Sequence, residues 1–297
     1  MKRICLVLDN PLRDLDGILL IASFLLEQNC EVFIVPMDVQ NFDALALKPD
    51  VVLVNYVRKN NLKLLNLYKI YGIKVAVLDT EGVGRWWPKH SHLLKSQNAN
   101  ELVDHYYCWG KEQLQQLIAS EAIQSEKIKL TGCPRYDFSK YPYRNVLPSN
   151  SFDTKFVLIN TNFPVVNPRF SKNTHNEIKI WEKVGWGTRS EIKLFAVKSE
   201  KIFHSVTRII QDIAIKLPTI NFVNRPHPFE SDLPYSKLER NFSNIYVKQE
   251  GTSLQWLNEA KALLHVNCFT ALEAGFLGID AISFEWINHD FVRTRSE

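Results

Sequence analysis

Short runs of Val, Ile and Leu recur along the first half of the chain, separated by stretches in which apolar residues return every three or four positions. The runs at residues 4–8, 32–35, 51–54 and 75–78 are apolar almost throughout, which predicts strands covered by helices on both faces. Helical patterns at residues 17–28 and 62–71 lie between them, so the segment reads as successive βαβ units on a parallel sheet. A helix at 111–119 and a strand at 128–130 continue the series. Residues 138–154 then carry Pro142, Pro148 and several Asn and Ser with little periodicity, the composition of a connector. The pattern restarts with a strand at 156–159, a long helix at 190–217, a strand at 220–223, a short helix at 254–260, a strand at 263–266, a helix from Thr270 and a strand at 281–284.

The predicted fold class is therefore α/β, with an N-terminal Rossmann-like domain over residues 1–140 and a C-terminal one over residues 153–297. Their parallel sheets are expected to face each other across a cleft. The second domain reads as short, because residues 290–297 follow the last strand and loop with no helix to cover the sheet.

Composition narrows the class without changing it. At 297 residues the chain is long enough for two domains, each with its own core. With 45% hydrophobic and 23% charged residues it is an ordinary globular chain, neither disordered nor membrane-embedded. The apolar stretch at residues 18–26 is too short to span a bilayer and follows Asp14 and Asp16 rather than a basic head, which predicts a cytoplasmic protein. A net charge of +4 with no continuous basic run argues against nucleic acid as a partner, and suits an anionic donor or a peripheral contact with a membrane surface. The five cysteines, at 5, 30, 108, 133 and 268, form no CxxC pair and read as reduced core thiols. His90 and His92 lack further ligands at a metal-like spacing, and neither GxGxxG nor GxxxxGK[ST] occurs, so no metal or cofactor is expected.

The chemistry is carried by polar residues just beyond the strand runs. Asp9, Asn10, Arg13 and Asp14 follow the first strand, Asn55 and Arg58 the third, and Asp79, Thr80 and Glu81 the fourth. Open α/β sheets bind ligands outside the carboxyl ends of their strands, so these residues predict the lining of one crevice. Asp79 and Glu81, followed by Gly82 with its close backbone approach, are candidates for a general base or a carboxylate nucleophile; the bland alternative is a helix cap or a solvated acid. In the second domain Asn224-Arg225-Pro226-His227-Pro228 follows a strand, and the two prolines fix the backbone around His227. An imidazole donor beside the planar fork of Arg225 suits a phosphate, against the alternative of a rigid turn. Thr270 and Glu273 stand at capping-box spacing, which predicts a helix starting at Thr270 whose free N–H groups suit a phosphate or carboxylate, although most such boxes bind nothing.

Residues 2–17, with Asp9-Asn10-Pro11-Leu12-Arg13-Asp14-Leu15-Asp16-Gly17, together with Asp50-Val51-Val52-Leu53-Val54-Asn55-Tyr56 and Leu78-Asp79-Thr80-Glu81-Gly82, resemble the bacterial surface carbohydrate biosynthesis protein family. Gly132-Cys133-Pro134-Arg135-Tyr136-Asp137 is similar to an element of GT-B-like polysaccharide enzymes. His227-Pro228 and the Thr270 helix start resemble the His-Pro and Ser-Ser/Thr motifs of bacterial sialyltransferases and 3-deoxy-manno-octulosonate (Kdo) transferases, with Glu81-Gly82 in the place of their acidic motif. Thr80 and Phe269 depart from those motifs. The resemblance implies that Arg225, His227, Pro228, Thr270 and Glu273 hold the donor nucleotide and phosphate, and that Glu81, with Asp79 as its rival, acts on the sugar.

The leading expectation is a GT-B glycosyltransferase that moves Kdo or another acidic sugar from a CMP-activated donor to a glycan or lipid-linked acceptor. A sugar-nucleotide epimerase of similar fold and a non-catalytic scaffold are the alternatives.

Overall fold

The computed structural model describes residues 1–58, 60–80, 99–150, 152, 154–266 and 268–284, and the chain divides into two compact units, Met1–Phe138 and Ser139–Glu297.

Unit 1 is built on β1 (Arg3–Leu8), β2 (Glu31–Pro36), β3 (Val51–Val54), β4 (Lys74–Leu78), β5 (His105–Cys108) and β6 (Ile128–Leu130). They form one parallel sheet in the order β2-β1-β3-β4-β5-β6. The helices are α1 (Pro11–Glu27), α2 (Gln40–Leu47), α3 (Leu62–Ile70), α4 (Ala99–Leu102), α5 (Lys111–Ser120) and α6 (Pro134–Asp137). Side chains of successive strand residues leave opposite faces, and the core shows it: Cys5 and Val7, Val52 and Val54, and Val75 and Val77 enter one cluster with Leu65, Tyr68 and Leu117. Leu6, Leu53 and Ala76 enter the other, with Ile18 and Ala22 of α1. Both faces are thus covered, as the unbroken apolar runs required.

Helix α1 begins well before the expected residue 17. Pro11 occupies its first turn, where a missing N–H costs nothing, and the Asn10 side chain accepts from the Leu12 N–H at 2.9 Å. Gly17 is needed inside this helix for a steric reason. A Cβ there would lie 2.9 Å from the backbone N of Arg135, because α6 packs directly on α1.

Unit 2 carries β7 (Phe156–Asn160), β8 (Asn221–Arg225), β9 (Ile245–Val247), β10 (Ala262–His265) and β11 (Asp280–Ser283) in a parallel sheet ordered β11-β10-β7-β8-β9. Its helices are α7 (Thr174–Val184), α8 (Arg189–Lys216), α9 (Leu233–Asn241), α10 (Ser253–Leu257) and α11 (Thr270–Leu277). The long α8 buries Ile192, Ala196, Ser199, Ile202, Val206, Ile210 and Ala214, one residue per turn along a single stripe. Val206 and Ile210 pack with Phe222 and Ile245 of the sheet, and each such buried side chain contributes about 1.5–3 kcal/mol.

The five cysteines are free. Cys5 and Cys108 are core thiols, and burial raises both to a pKa of about 12; Cys30, Cys133 and Cys268 are only partly buried by accessible surface. Among the described residues no helix is long and apolar enough to cross a membrane.

Candidate functional site

In each sheet the strand order reverses once, at β1 and β3 in unit 1 and at β7 and β10 in unit 2. Beyond the carboxyl ends of such strands the two flanking connections run to opposite faces, which opens a crevice where α/β sheets take ligands. Polar side chains are buried at these ends: Asn55 after β3, Asp79 after β4, Asn160 closing β7 and Asn224 in β8.

In unit 1 the residues expected beyond β1 form a charge network. Arg13 donates to Asp9 at 2.6 Å and to Asp14 at 2.8 Å, and the same Asp14 accepts from Arg135 at 3.3 Å. Arg13 and Asp14 belong to the first turns of α1 rather than to a loop, so this network ties α1 to α6. Asp79 accepts from the buried Tyr106 hydroxyl at 3.0 Å and lies 3.9 Å from Arg58. Burial, and then the Asp79 charge, push the Tyr106 phenol well above its ordinary value. Asp14, Asn55, Asp79, Thr80, Trp109 and Arg135 share the wall of a cavity of about 30 Å³. Glu81, the other candidate acid, and Gly82 lie outside the described residues, as do His90 and His92.

In unit 2 the crevice at β7 and β10 is bridged by a hydrogen bond from Asn160 Nδ2 to Thr270 Oγ1 at 2.9 Å. Helix α11 starts at Thr270 as expected, but not through a capping box. Phe269 is the N-cap and makes no side-chain cap bond. The Thr270 hydroxyl faces Cys268 Sγ at 3.0 Å, and the buried Glu273 carboxylate accepts from Ser253 Oγ at 2.5 Å instead of reaching back. The N–H groups of Ala271 and Leu272 donate to Cys268 and Phe269 in tight turns.

Arg225 is the last residue of β8, not part of the loop beyond it, and it acts as a clamp. Its terminal nitrogens donate to the carbonyls of Glu250 at 2.5 Å and Gly251 at 2.9 Å, and its guanidinium stacks on Trp256, which itself donates to Glu250. Burial lowers its pKa to about 10, with Glu250 and Glu273 opposing the shift. The fork expected to meet a phosphate is thus turned onto the 250–251 loop.

His227 follows, half-buried between Pro226 and Pro228. The Phe229 N–H donates to its Nδ1 at 3.2 Å, so in the neutral ring the proton sits on Nε2. The loop is anchored by Glu230, which the sequence reading passed over. This fully buried carboxylate accepts from Thr161 Oγ1, the N–H groups of Phe163 and His227, Asn167 Nδ2 and the Tyr235 hydroxyl. Burial raises its pKa against the lowering effect of these donors. Asn224, buried in β8, has no partner for either atom of its side-chain amide.

No protein-family model matches the chain, and no curated protein matches it in sequence. Among solved structures, the S. aureus MnaA–UDP co-structure is 16% identical, with a TM-score of 0.61 over 95% of this chain and 78% of that one. UDP-GlcNAc 2-epimerase from Neisseria meningitidis bound to UDP-GlcNAc is 15% identical, with a TM-score of 0.58 over 95% and 82%. The wall teichoic acid polymerase TagF is 10% identical, with a TM-score of 0.55 over 96% and 70%. These are GT-B-fold proteins, and at this identity the likeness establishes the fold: α/β, with two Rossmann-like domains. The expectation of a transferase using a CMP-activated acidic sugar is overturned, because the neighbours are UDP-GlcNAc 2-epimerases and a teichoic acid polymerase.

Proposed function

We propose that the chain is an enzyme of UDP-linked sugars, a sugar-nucleotide epimerase in class, whose unit 2 holds the nucleotide. The observation that carries the reading is the likeness in fold, over 95% of the chain, to one protein solved with UDP and another solved with UDP-GlcNAc. The chemistry of unit 2 agrees with it. A diphosphate needs fixed donors in a partly desolvated place, and His227 Nε2 is such a donor, on a loop held by Glu230 and two prolines. The partial positive charge at the start of α11 adds to it beyond the carboxyl end of β10. Inverting a carbon centre requires a group that takes a proton and one that returns it, which are the roles open to the acids after β4. Of these Asp79 is already engaged with Tyr106, so Glu81 is the proposed proton-transfer group and Asp79 its neighbour in support.

The test is incubation with UDP-GlcNAc and related UDP-hexoses in D₂O without acceptor, followed by proton NMR, alongside thermal unfolding with UDP, CMP and GDP. The expected result is stabilisation by UDP above the other two, by about 2.7 kcal/mol at a hundredfold excess over Kd, and a new epimer carrying solvent deuterium. Nucleotide release that requires an acceptor, or no stabilisation by UDP, overturns the reading.

A further inference from the structure

We propose that the helical hairpin formed by α7 and the first half of α8 docks unit 2 on an anionic membrane surface, with an apolar strip entering the lipid interface and flanking lysines meeting the headgroups. The inference does not depend on the nucleotide reading.

Helix α8 has 28 residues and is about 42 Å long, against about 17 Å for the five-residue β7 and β8. Only its later half lies on the sheet. Ile202, Val206, Ile210 and Ala214 cluster with Ile159 and Phe222, whereas Ile192 and Ala196 cluster with Ile178 of α7 and with Val165. Because α8 ends beside the start of β8, its first half projects past the carboxyl ends of the strands. Trp181 joins the two helices from inside, its ring 5.8 Å from that of Phe195 and 5.9 Å from that of Trp186.

Ile180 and Leu194 each stand two positions after a residue of that small core, Ile178 and Ile192, so they point about 200° round the helix from it. Val184 follows Ile180, and Val197 follows Leu194, one turn on. With Trp186 in the connecting turn, these five side chains are 46–59% exposed on the outer face of the hairpin. Single exposed apolar residues are ordinary, but a strip with charged borders marks an interaction surface. Exposed Lys179 and Lys183 on α7, and Lys193 and Lys201 on α8, flank the strip. Residues 172–201 carry seven Lys and Arg against four Glu. Two of those acids are held locally, Glu177 by Trp181 Nε1 at 2.9 Å and Glu191 by the Thr188 N–H at 2.8 Å. Apolar side chains between basic flanks, with a tryptophan at the edge, suit an anionic bilayer, where lysine stems lie along the apolar surface and their ammonium groups reach the phosphates. A second copy of the chain meeting this face would bring like charges together.

The experiment is co-sedimentation of the whole chain with vesicles of phosphatidylcholine alone and of phosphatidylcholine with about a third phosphatidylglycerol, at low and high salt. Binding to the anionic vesicles is expected to be at least about tenfold tighter than to the neutral ones, and to be lost at high salt. Lys183→Gln and Lys193→Gln should each weaken it about fivefold, the effect of one charge near such a surface. Ile180→Gln combined with Leu194→Gln should weaken it about tenfold or more, since both side chains lose apolar burial in the lipid. All four residues are exposed, so the melting temperatures should match the wild type. Ile215→Gln is the control: this residue is 64% exposed at the sheet end of α8, and its replacement should leave vesicle binding unchanged. Equal binding to both kinds of vesicle, binding to neither, or an equal loss in the Ile215 variant overturns the inference. Self-association that Leu194→Gln abolishes, without vesicle binding, also overturns it and assigns the face to a second copy.

Discussion

The buried carboxylate of Glu230 accepts a hydrogen bond from the main-chain N–H of His227 at 3.3 Å, and the N–H of Glu230 donates to the His227 carbonyl at 2.7 Å. This reciprocal pair closes the turn that carries the imidazole. Replacing the carboxylate by an amide places an NH₂ group among donors, since Thr161, Phe163, Asn167, His227 and Tyr235 all give hydrogen bonds to it. Glu230→Gln is expected to destabilise the protein by about 2–4 kcal/mol in urea titrations and to weaken UDP binding as the loop loosens.

The same carboxyl makes stability depend on pH. Its folded pKa is raised above the ordinary 4.5, chiefly by burial, so the native state holds this proton more tightly than the unfolded chain does. The stability it supplies is complete below 4.5 and is lost as pH rises from there through the raised value. The margin of the wild type over Glu230→Gln is therefore expected to be larger at pH 4 than at pH 7. Urea unfolding of both proteins across that range checks it, and a margin that grows with pH would show that the five donors outweigh burial.

Gly17 and Gly275 give a matched pair. Gly17→Ala puts a Cβ 2.9 Å from the Arg135 backbone, which cannot swing away as a long side chain can, so α1 and α6 must separate. A loss of about 1–3 kcal/mol is expected. Gly275 lies within α11 with nothing near the added Cβ, so Gly275→Ala should stabilise by about 0.5–1 kcal/mol through helix propensity. Thermal unfolding of the two variants side by side is sufficient, and equal effects would contradict the close contact at Gly17.

His227→Ala removes the proposed phosphate donor together with one local acceptor, that of the Phe229 N–H. Stability should fall by no more than about 1 kcal/mol, whereas UDP binding should weaken by a factor of roughly ten to a hundred, the range for one charge-assisted hydrogen bond. Isothermal titration with UDP decides it: unchanged affinity makes His227 a turn element only.

The strands were legible where burial on both faces forces unbroken Val, Ile and Leu, as in β1, β3 and β4. Strand β5, His-Tyr-Tyr-Cys, and the three-residue β9 were not, because they are short and carry polar or aromatic residues. Helix α7 had a readable start and stop, Asn173 accepting from the Asn176 N–H and Gly185 in the left-handed region, but few apolar positions between them. The capping box shows the limit of spacing alone. Thr188 and Glu191 form one at the start of α8, while Thr270 and Glu273 at the same spacing do not, because Asn160 and Cys268 engage the threonine and Ser253 engages the glutamate. Those partners come from β7, the preceding turn and α10, so spacing in the chain does not reveal them. For the same reason the turning of Arg225 onto the 250–251 loop and the anchoring by Glu230 became visible only in three dimensions.

The acids after β4 give the last prediction. Asp79 is buried and accepts from Tyr106, so its first role is to hold that hydroxyl and balance Arg58, and Asp79→Asn keeps an acceptor for the phenol while losing the charge. A stability loss of about 1–2 kcal/mol is expected from that change. Glu81→Gln keeps size and removes the ability to take a proton at neutral pH. If Glu81 transfers the proton, its variant should retain UDP binding and lose turnover by about a hundredfold or more, the low end of what a general base contributes. Asp79→Asn should lose much less turnover than that. Measuring kcat and UDP affinity for both variants separates the roles, because a base removed lowers kcat alone, while a disturbed support lowers stability together with activity. If the Asp79 variant is inactive and the Glu81 variant active, the two roles are exchanged. If both turn over normally, the proton transfer lies elsewhere.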